Sequence, residues 1–459
     1  MQASTTRRFE FEPSYVLPIK LKRGKTKGMV NFFRILDSDR HAFFCPMNFV
    51  ADTYMGCPHG CWYCYAPSYA ARFKKYRESF GLFRNFRPRL KSQRDLEKIE
   101  KAIETGNVKG TCDEKQENLV GSAIKHKHPL RVGSVSEPFG LPLESEQQTT
   151  YRILEILIAN DYPFVVCTKS PLVAHPKYVN LLKSTKKDAV QISLISKDEN
   201  LLQSLETSEN GKTPSSKARL DAFKTLSSQG IFTTCRIQPI IPQVTEQGMR
   251  QLIYALAEAG VNHVIFEFLW FPAGHAEDMS SRLKVALDAY VKSGGAVGED
   301  LRRHDNDLYS FYQSFEDSSR GYGRIFFSKK QIASAMPKFA QLVNEANKEF
   351  GANMTFGSGN EETTYLNSTD NCCGVDRLQG FVEGTPCTVH TLMKIARQKG
   401  RVKLGDLKNC YNPCMDKIGK LWTKKGKDGY FLESRVFKLK GKATGSQVDY
   451  VYDENAVPR

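Results

Sequence analysis

The chain has 459 residues, 40% hydrophobic and 25% charged, enough for an ordinary soluble core in one large domain with an appendage or in two or three domains. The formal net charge of +16 favours polyanionic partners, because each phosphate neutralised by Lys or Arg releases condensed counterions. The opening MQASTTRRFEFEP lacks the apolar core of a signal peptide, and the most apolar run, His263 to Phe271, is too short to span a bilayer and carries Glu267, so a cytoplasmic protein without membrane contact is expected.

Residues 1–50 read as an N-terminal segment with a basic patch at Lys20, Lys22, Arg23, Lys25 and Lys27. A cysteine-rich loop follows, then a basic stretch, 72–101, in which Arg84, Arg87 and Arg89 alternate with Phe80, Phe83 and Phe86. The polar section 102–128 reads as a loop or insertion. From 129 onward apolar runs (130–134, 164–168, 190–195, 231–237 and 261–268) alternate with helical patterns such as Ile153, Leu154, Ile156, Leu157 and Leu220, Phe223, Leu226. Strands alternating with helices imply parallel pairing and right-handed crossovers. With one strand just before the cysteines, the count is six βα units, too few for a closed eight-stranded barrel, and ligand groups are expected at the C-terminal ends of the strands. The span 51–270 is thus the expected barrel, 271–360 a helical extension, and 361–459 a basic, cysteine-containing C-terminal region.

The central motif is Gly56-Cys57-Pro58-His59-Gly60-Cys61-Trp62-Tyr63-Cys64-Tyr65, a C-x3-C-x2-C spacing. Three thiolates in eight residues can hold three irons of a [4Fe–4S] cluster and leave the fourth open. Spacing alone also suits a partial zinc site or a disulfide pair. Four strand ends carry polar groups: Gly133-Ser134-Val135-Ser136-Glu137, Thr168-Lys169-Ser170-Pro171-Leu172, Gln191-Ile192-Ser193 and Arg236-Ile237-Gln238-Pro239-Ile240-Ile241-Pro242. Glu137 can accept hydrogen bonds from an ammonium group, and Lys169 can pair with a carboxylate.

The cysteine loop resembles that of the radical S-adenosylmethionine (SAM) superfamily. The order of TKSPL, the Arg219-Leu220-Asp221-Ala222-Phe223 helix and RIQPIIP is similar to the branch containing spore photoproduct lyase and the DNA repair photolyase-like proteins. The resemblance covers roughly 50–270 and implies an α/β fold, a partial (β/α)6 TIM-type barrel of the radical SAM kind with a C-terminal cysteine-containing basic extension. It implies a [4Fe–4S] cluster on Cys57, Cys61 and Cys64 and SAM on the open iron. One electron from an external donor such as flavodoxin or ferredoxin then yields methionine and a hydrogen-abstracting 5′-deoxyadenosyl radical. Tyr63 resembles the aromatic near the adenine, and Ser134, Lys169, Ser193 and Arg236 look like SAM contacts. The lyases carry a hydrogen-donor cysteine in the stretch corresponding to Arg131–Ser136, where this chain has none. Cys112, in the polar segment before that strand, stands as a donor or as an ordinary exposed thiol.

Twelve cysteines in a chain without an export signal favour reduced thiols and metal ligation. Cys372, Cys373, Cys387, Cys410 and Cys414, with His390 nearby, suit a second site for zinc or an auxiliary iron–sulfur cluster, or else a set of buried cysteines. Cys45, Cys167 and Cys235 read as core. Between Lys394 and Lys442 there are 15 Lys or Arg against 4 Asp or Glu, with Trp422, Tyr430 and Phe431 among them, a composition that suits either stacking on unpaired bases or a solvated surface. The expected function is radical SAM chemistry on a nucleic acid, as lesion repair or base modification. The alternatives are the same chemistry on a peptide or protein, and a non-catalytic, metal-stabilised nucleic-acid-binding protein.

Overall fold

Continuous Val-, Ile- and Phe-rich runs suit strands buried on both faces, which pair in parallel beneath crossover helices. The computed structural model describes residues 31–37, 41, 44–70, 85–208, 211–321, 323–388 and 411–414, with isolated stretches after 390. The runs form one eight-stranded sheet of β1 (Phe33–Ile35), β2 (Phe49–Ala51), β3 (Leu130–Val132), β4 (Phe164–Thr168), β5 (Asp188–Ser193), β6 (Thr233–Ile240), β7 (His263–Phe268) and β8 (Thr355–Ser358), in that spatial order. β1 is antiparallel to β2, and all later neighbours are parallel. The architecture is α/β, a partial TIM-type barrel.

Strands β2 to β7 correspond to the six βα units read from the sequence. β1 and β8 extend the sheet from outside 51–270; β8, Thr-Phe-Gly-Ser, is too short to show a pattern. The section 102–128 is a correction. It is largely helical, with α1 (Gln93–Thr105) ending inside it and α2 (Glu117–Lys125) crossing it. Leu96, Ile99, Ala102 and Ile103 bury one face of α1 while charges fill the other, so a narrow apolar stripe was hidden by the overall polarity. The crossovers that matter below are α3 (Glu199–Glu206) and α4 (Ser216–Ser228). The 271–360 stretch holds long helices, Ala276–Lys292 and Lys329–Phe350, but also a small antiparallel sheet of Trp270–Pro272, Ser319–Gly321 and Arg324–Phe326.

The floor of the barrel is plugged by a later segment. Cys373, Val375 and Phe381 pack with Met47, Val165, Ala189 and Ile265 in one apolar cluster, each large side chain contributing about 1.5–3 kcal/mol by leaving water. The plug sits so close that a Cβ on Gly357 would lie 2.6 Å from the carbonyl oxygen of Cys372, and one on Gly374 2.4 Å from the His263 ring. His263 locks it further through Nε2 and the Cys372 carbonyl, 3.0 Å apart. Among the described residues no helix is long and apolar enough to cross a membrane.

Candidate functional site

The cysteine loop leaves the sheet after β2 and is carried by α3 and the hairpin that follows it. The backbone N–H of Trp62 donates to the Leu205 carbonyl at 2.9 Å, and its indole Nε1 to the Thr207 carbonyl at 2.7 Å. Contact between loop and hairpin is backbone on backbone. A Cβ on Gly60 would lie 2.2 Å from the Gly211 carbonyl oxygen, and one on Gly211 1.9 Å from that of Pro58, so neither position admits a side chain.

Cys57, Cys61 and Cys64 line one cavity of about 790 Å³ together with Tyr63, Ser134, Glu137, Lys169, Ser193, Arg236, Cys372 and Cys373. The structure therefore brings together most of the residues singled out in the sequence, at the C-terminal ends of the parallel strands. Burial raises the Cys57 thiol well above its ordinary range, with Glu137, Cys64 and Cys61 adding to it. Cys64 is pushed up to about 12 by burial and by Cys61. Three crowded thiols of this kind stay protonated unless cationic metal compensates them, which is the donor chemistry of an iron–sulfur site. Among the described residues no three His, Cys, Asp or Glu side chains converge on a single ion. A cubane does not require that, since each thiolate binds a different iron. The residues present fit the cluster.

The strand-end groups are held by partners distant in sequence. Asp52, buried just after β2, accepts from the Ser134 N–H at 2.7 Å, the Ser134 hydroxyl at 3.0 Å and the Val135 N–H at 3.0 Å, fixing the turn after β3. Glu137 is buried and accepts from the Lys169 N–H at 2.8 Å, the Phe139 N–H at 3.1 Å and the Thr168 hydroxyl, and lies 3.0 Å from His59 Nε2 in the cysteine loop. Burial alone would raise its pKa; the hydrogen bonds and charge of His59, with Thr168 and the Lys169 N–H, bring it below the ordinary range. Oε2 thus fastens the cysteine loop to the end of β4, while Oε1 ties the end of β4 to the turn after β3. Lys169 Nζ donates to Tyr63 OH at 2.8 Å and to Glu206 Oε1 at 2.7 Å. Glu206 also binds the fully buried Arg219 guanidinium and the Tyr63 hydroxyl. Against the desolvation that would raise it, Arg219 and Lys169 lower the Glu206 carboxyl to about 2. Arg219 reaches on to the Ser193 carbonyl at 2.9 Å.

Deeper in the cavity, Arg236 donates to Gln191 Oε1 at 2.9 Å, and the Cys167 thiol reaches the same oxygen at 3.4 Å. Arg131 Nη2 lies 3.9 Å from Cys45 Sγ and 3.8 Å from Cys373 Sγ, and the Cys372 and Cys373 sulfurs are 3.9 Å apart. Cys45 and Cys167, read as plain core, pack against the floor cluster and also line this cavity. Cys235 is buried within β6 as expected.

The C-terminal cysteine set does not form one group. Cys372 and Cys373 line the cavity. Cys387 is disulfide-bonded and so offers no thiolate, which corrects the expectation of reduced cysteines throughout. Its N–H donates to the Tyr411 carbonyl at 2.7 Å, in the loop that carries the buried Cys414, and neither lines the cavity. Cys410 and His390 lie outside the described residues, as do the N-terminal basic patch, Arg84 with Phe80 and Phe83, and Trp422 and Phe431 of the basic tail. Cys112 is also corrected. It is fully buried rather than exposed, its thiol directed to the Val108 carbonyl at 3.9 Å, and it does not line the cavity.

Sequence reasoning missed Asp52, Glu206, Arg131 and the aromatic part of the cavity wall, where the Arg324 guanidinium lies over the Trp270 ring at 3.9 Å and the tilted Tyr65 ring is 5.4 Å from it. An acidic residue directly after the strand that precedes the cysteines was a usable signal for Asp52. Glu206 carries none, because its role arises only when α3 and α4 dock under the loop.

Residues 53–256 match the model of the Radical SAM superfamily. An uncharacterised protein of Methanocaldococcus jannaschii is 27% identical over 224 residues, 48% of this chain and 70% of that protein. A radical SAM Nalpha-GlyT isomerase of Pseudomonas phage M6 is 28% identical over 191 residues, 38% of each chain. Among solved structures, a mutant spore photoproduct lyase with bound AdoMet and dinucleoside spore photoproduct is similar, with a TM-score of 0.43, 14% identity, and coverage of 72% of this chain and 79% of that one.

Proposed function

From the premise that residues 53–256 belong to the radical SAM superfamily, we propose that this enzyme binds a [4Fe–4S] cluster on Cys57, Cys61 and Cys64 and acts on a nucleic acid by hydrogen abstraction. The observation that carries the reading is one cavity lined both by these three thiols and by the Trp270–Arg324–Tyr65 group. The cluster and SAM, when bound, supply the abstracting radical. The chain's own part is to orient and enclose. Asp52 fixes the Ser134 turn, Glu137 ties the cysteine loop to the ends of β3 and β4, and Lys169 with Glu206 holds the Tyr63 ring. Ser193 and Arg236 present polar groups to the same space. Gln238 Oε1 is buried without a hydrogen-bond partner, an unspent acceptor for a donor group of SAM or substrate. An aromatic ring beside a guanidinium suits a base and its phosphate, and the +16 charge suits a polyanion.

The test is anaerobic reconstitution followed by assay of 5′-deoxyadenosine with DNA, RNA and peptide pools. Formation stimulated by nucleic acid, with a steep loss of binding as salt rises, is expected. Cys61→Ala should abolish cleavage. Retained cleavage in that variant removes the cluster assignment, and stimulation by peptides alone removes the nucleic-acid one.

A further inference from the structure

The cavity lined by the first thiol trio contains a second set of sulfurs that the proposed reaction does not use. Four cysteines from three parts of the chain meet there: Cys45 before β2, Cys167 on β4, and the adjacent Cys372 and Cys373 at the tip of the plug. They surround two guanidiniums. Arg131 Nη2 stands 3.9 Å from Cys45 Sγ and 3.8 Å from Cys373 Sγ, and Arg236 meets Cys167 through the shared Gln191 oxygen. Among the described residues neither arginine forms an ion pair with a carboxylate, and Arg131 Nε and Gln191 Nε2 are buried without any hydrogen-bond partner. The two half-buried guanidiniums thus face sulfur rather than carboxylate, Arg131 through Cys45 and Cys373, and with two orphaned donors beside them the pocket suits an anionic, sulfur-bearing group.

We propose that Cys45, Cys167, Cys372 and Cys373 bind a second iron–sulfur cluster at the floor of the barrel, with Arg131 and Arg236 as its counter-charges. Four thiolates are the ligand number of both common cluster types, and an oxidised cluster of either type on four thiolates carries a net charge of about −2. That charge balances the two guanidiniums. Gln191 Nε2 and Arg131 Nε become donors to cluster sulfur, a contact that tunes such centres. A single zinc ion does not fit, since among the described residues no three ligand side chains converge on one point. The ligand set differs from the one the sequence suggested. It keeps Cys372 and Cys373, drops Cys387 and Cys414, and takes Cys45 and Cys167 in their place.

The inference stands apart from the radical SAM reading and is tested without it, in the full chain carrying Cys57→Ala, Cys61→Ala and Cys64→Ala together. After anaerobic reconstitution this triple variant should retain about two to four irons per chain with matching acid-labile sulfide and absorbance near 400 nm, roughly. Adding Cys372→Ser and Cys373→Ser should bring iron to background. Where circular dichroism shows that the five-fold variant has lost its fold, Cys45→Ser or Cys167→Ser in the triple background gives the same reading, as a changed cluster spectrum or lost iron. No iron in the triple variant, zinc in its place, or iron unaffected by all the floor substitutions would each overturn the proposal. Iron absent only from the floor would overturn this proposal and leave the proposed function intact.

Discussion

Glu206 pairs with both the buried Arg219 and the part-buried Lys169, and Glu206→Gln removes its charge while keeping its shape. Its side chain is 1% exposed, and those of Arg219 and Lys169 are 0% and 15% exposed, so solvent screens little of the interaction. The depression of its carboxyl from 4.5 to about 2 corresponds to about 3 kcal/mol at roughly 1.4 kcal/mol per pKa unit. That agrees with the roughly 3–5 kcal/mol lost when one partner of a buried pair is removed. With about 2.1 cal/mol/K of unfolding entropy per residue over the unit that carries the sheet from β1 to β8, the loss should lower Tm by about 4 °C. The sign with pH follows from the depression. The stabilisation is complete above the unfolded value of 4.5 and fades as pH falls toward about 2. The gap between wild type and variant in thermal melts should therefore stay constant from about pH 8 down to about pH 5 and narrow only below that. A variant melting within about 2 °C of wild type at neutral pH would refute the reasoning, because Lys169 and Arg219 would then not depend on this carboxylate.

Gly60→Ala places a methyl 2.2 Å from the Gly211 carbonyl oxygen and must displace the cysteine loop from its hairpin; iron bound by Cys57, Cys61 and Cys64 should fall severalfold on reconstitution, and full occupancy would show that the loop does not need this seat. Cys112→Ser places a hydroxyl in a fully buried, apolar site away from the cavity. It should cost about 1–3 kcal/mol in denaturant melts and leave SAM cleavage per folded chain unchanged, whereas loss of cleavage at full stability would return Cys112 to the reaction.

The strands that carry the site were legible because each is an apolar or β-branched run broken only by a few polar residues such as Arg131, Gln191 and Arg236, and because helical patterns alternate with them; the cysteine loop was legible because its spacing is chemically restrictive. What the sequence concealed has two physical origins. β1 and β8 are three and four residues long, so tertiary pairing rather than pattern makes them strands. The supports of the site are contacts at long range. Asp52 and Ser134 are 82 residues apart, Lys169 and Glu206 37, and Arg131 and Cys373 242. No local periodicity encodes such pairs. Cys45 and Cys167 pack against the core as read, but their second role as lining of the cavity was hidden for the same reason. Cys387 escaped because spacing cannot distinguish a disulfide from a ligand set.

The polar residues read as cofactor contacts turn out to carry a second duty. Ser134 is bound by Asp52, Glu137 by His59 and Thr168, and Lys169 by Glu206 and Tyr63. His59 and Tyr63 tie the cysteine loop to Glu137 and Lys169, while Asp52 and Thr168 tie neighbouring strand ends to each other, so the ligand-facing atoms and the thiols are positioned by buried polar contacts. Preorganisation of this kind holds reacting groups near their working geometry without requiring the ligand to order them. It also makes the network fragile in a particular way. A single neutralised member leaves a buried charge unpaired, so substitutions at Glu137, Lys169 or Glu206 lower both stability and iron retention, whereas a residue that merely touched the ligand would lower affinity alone.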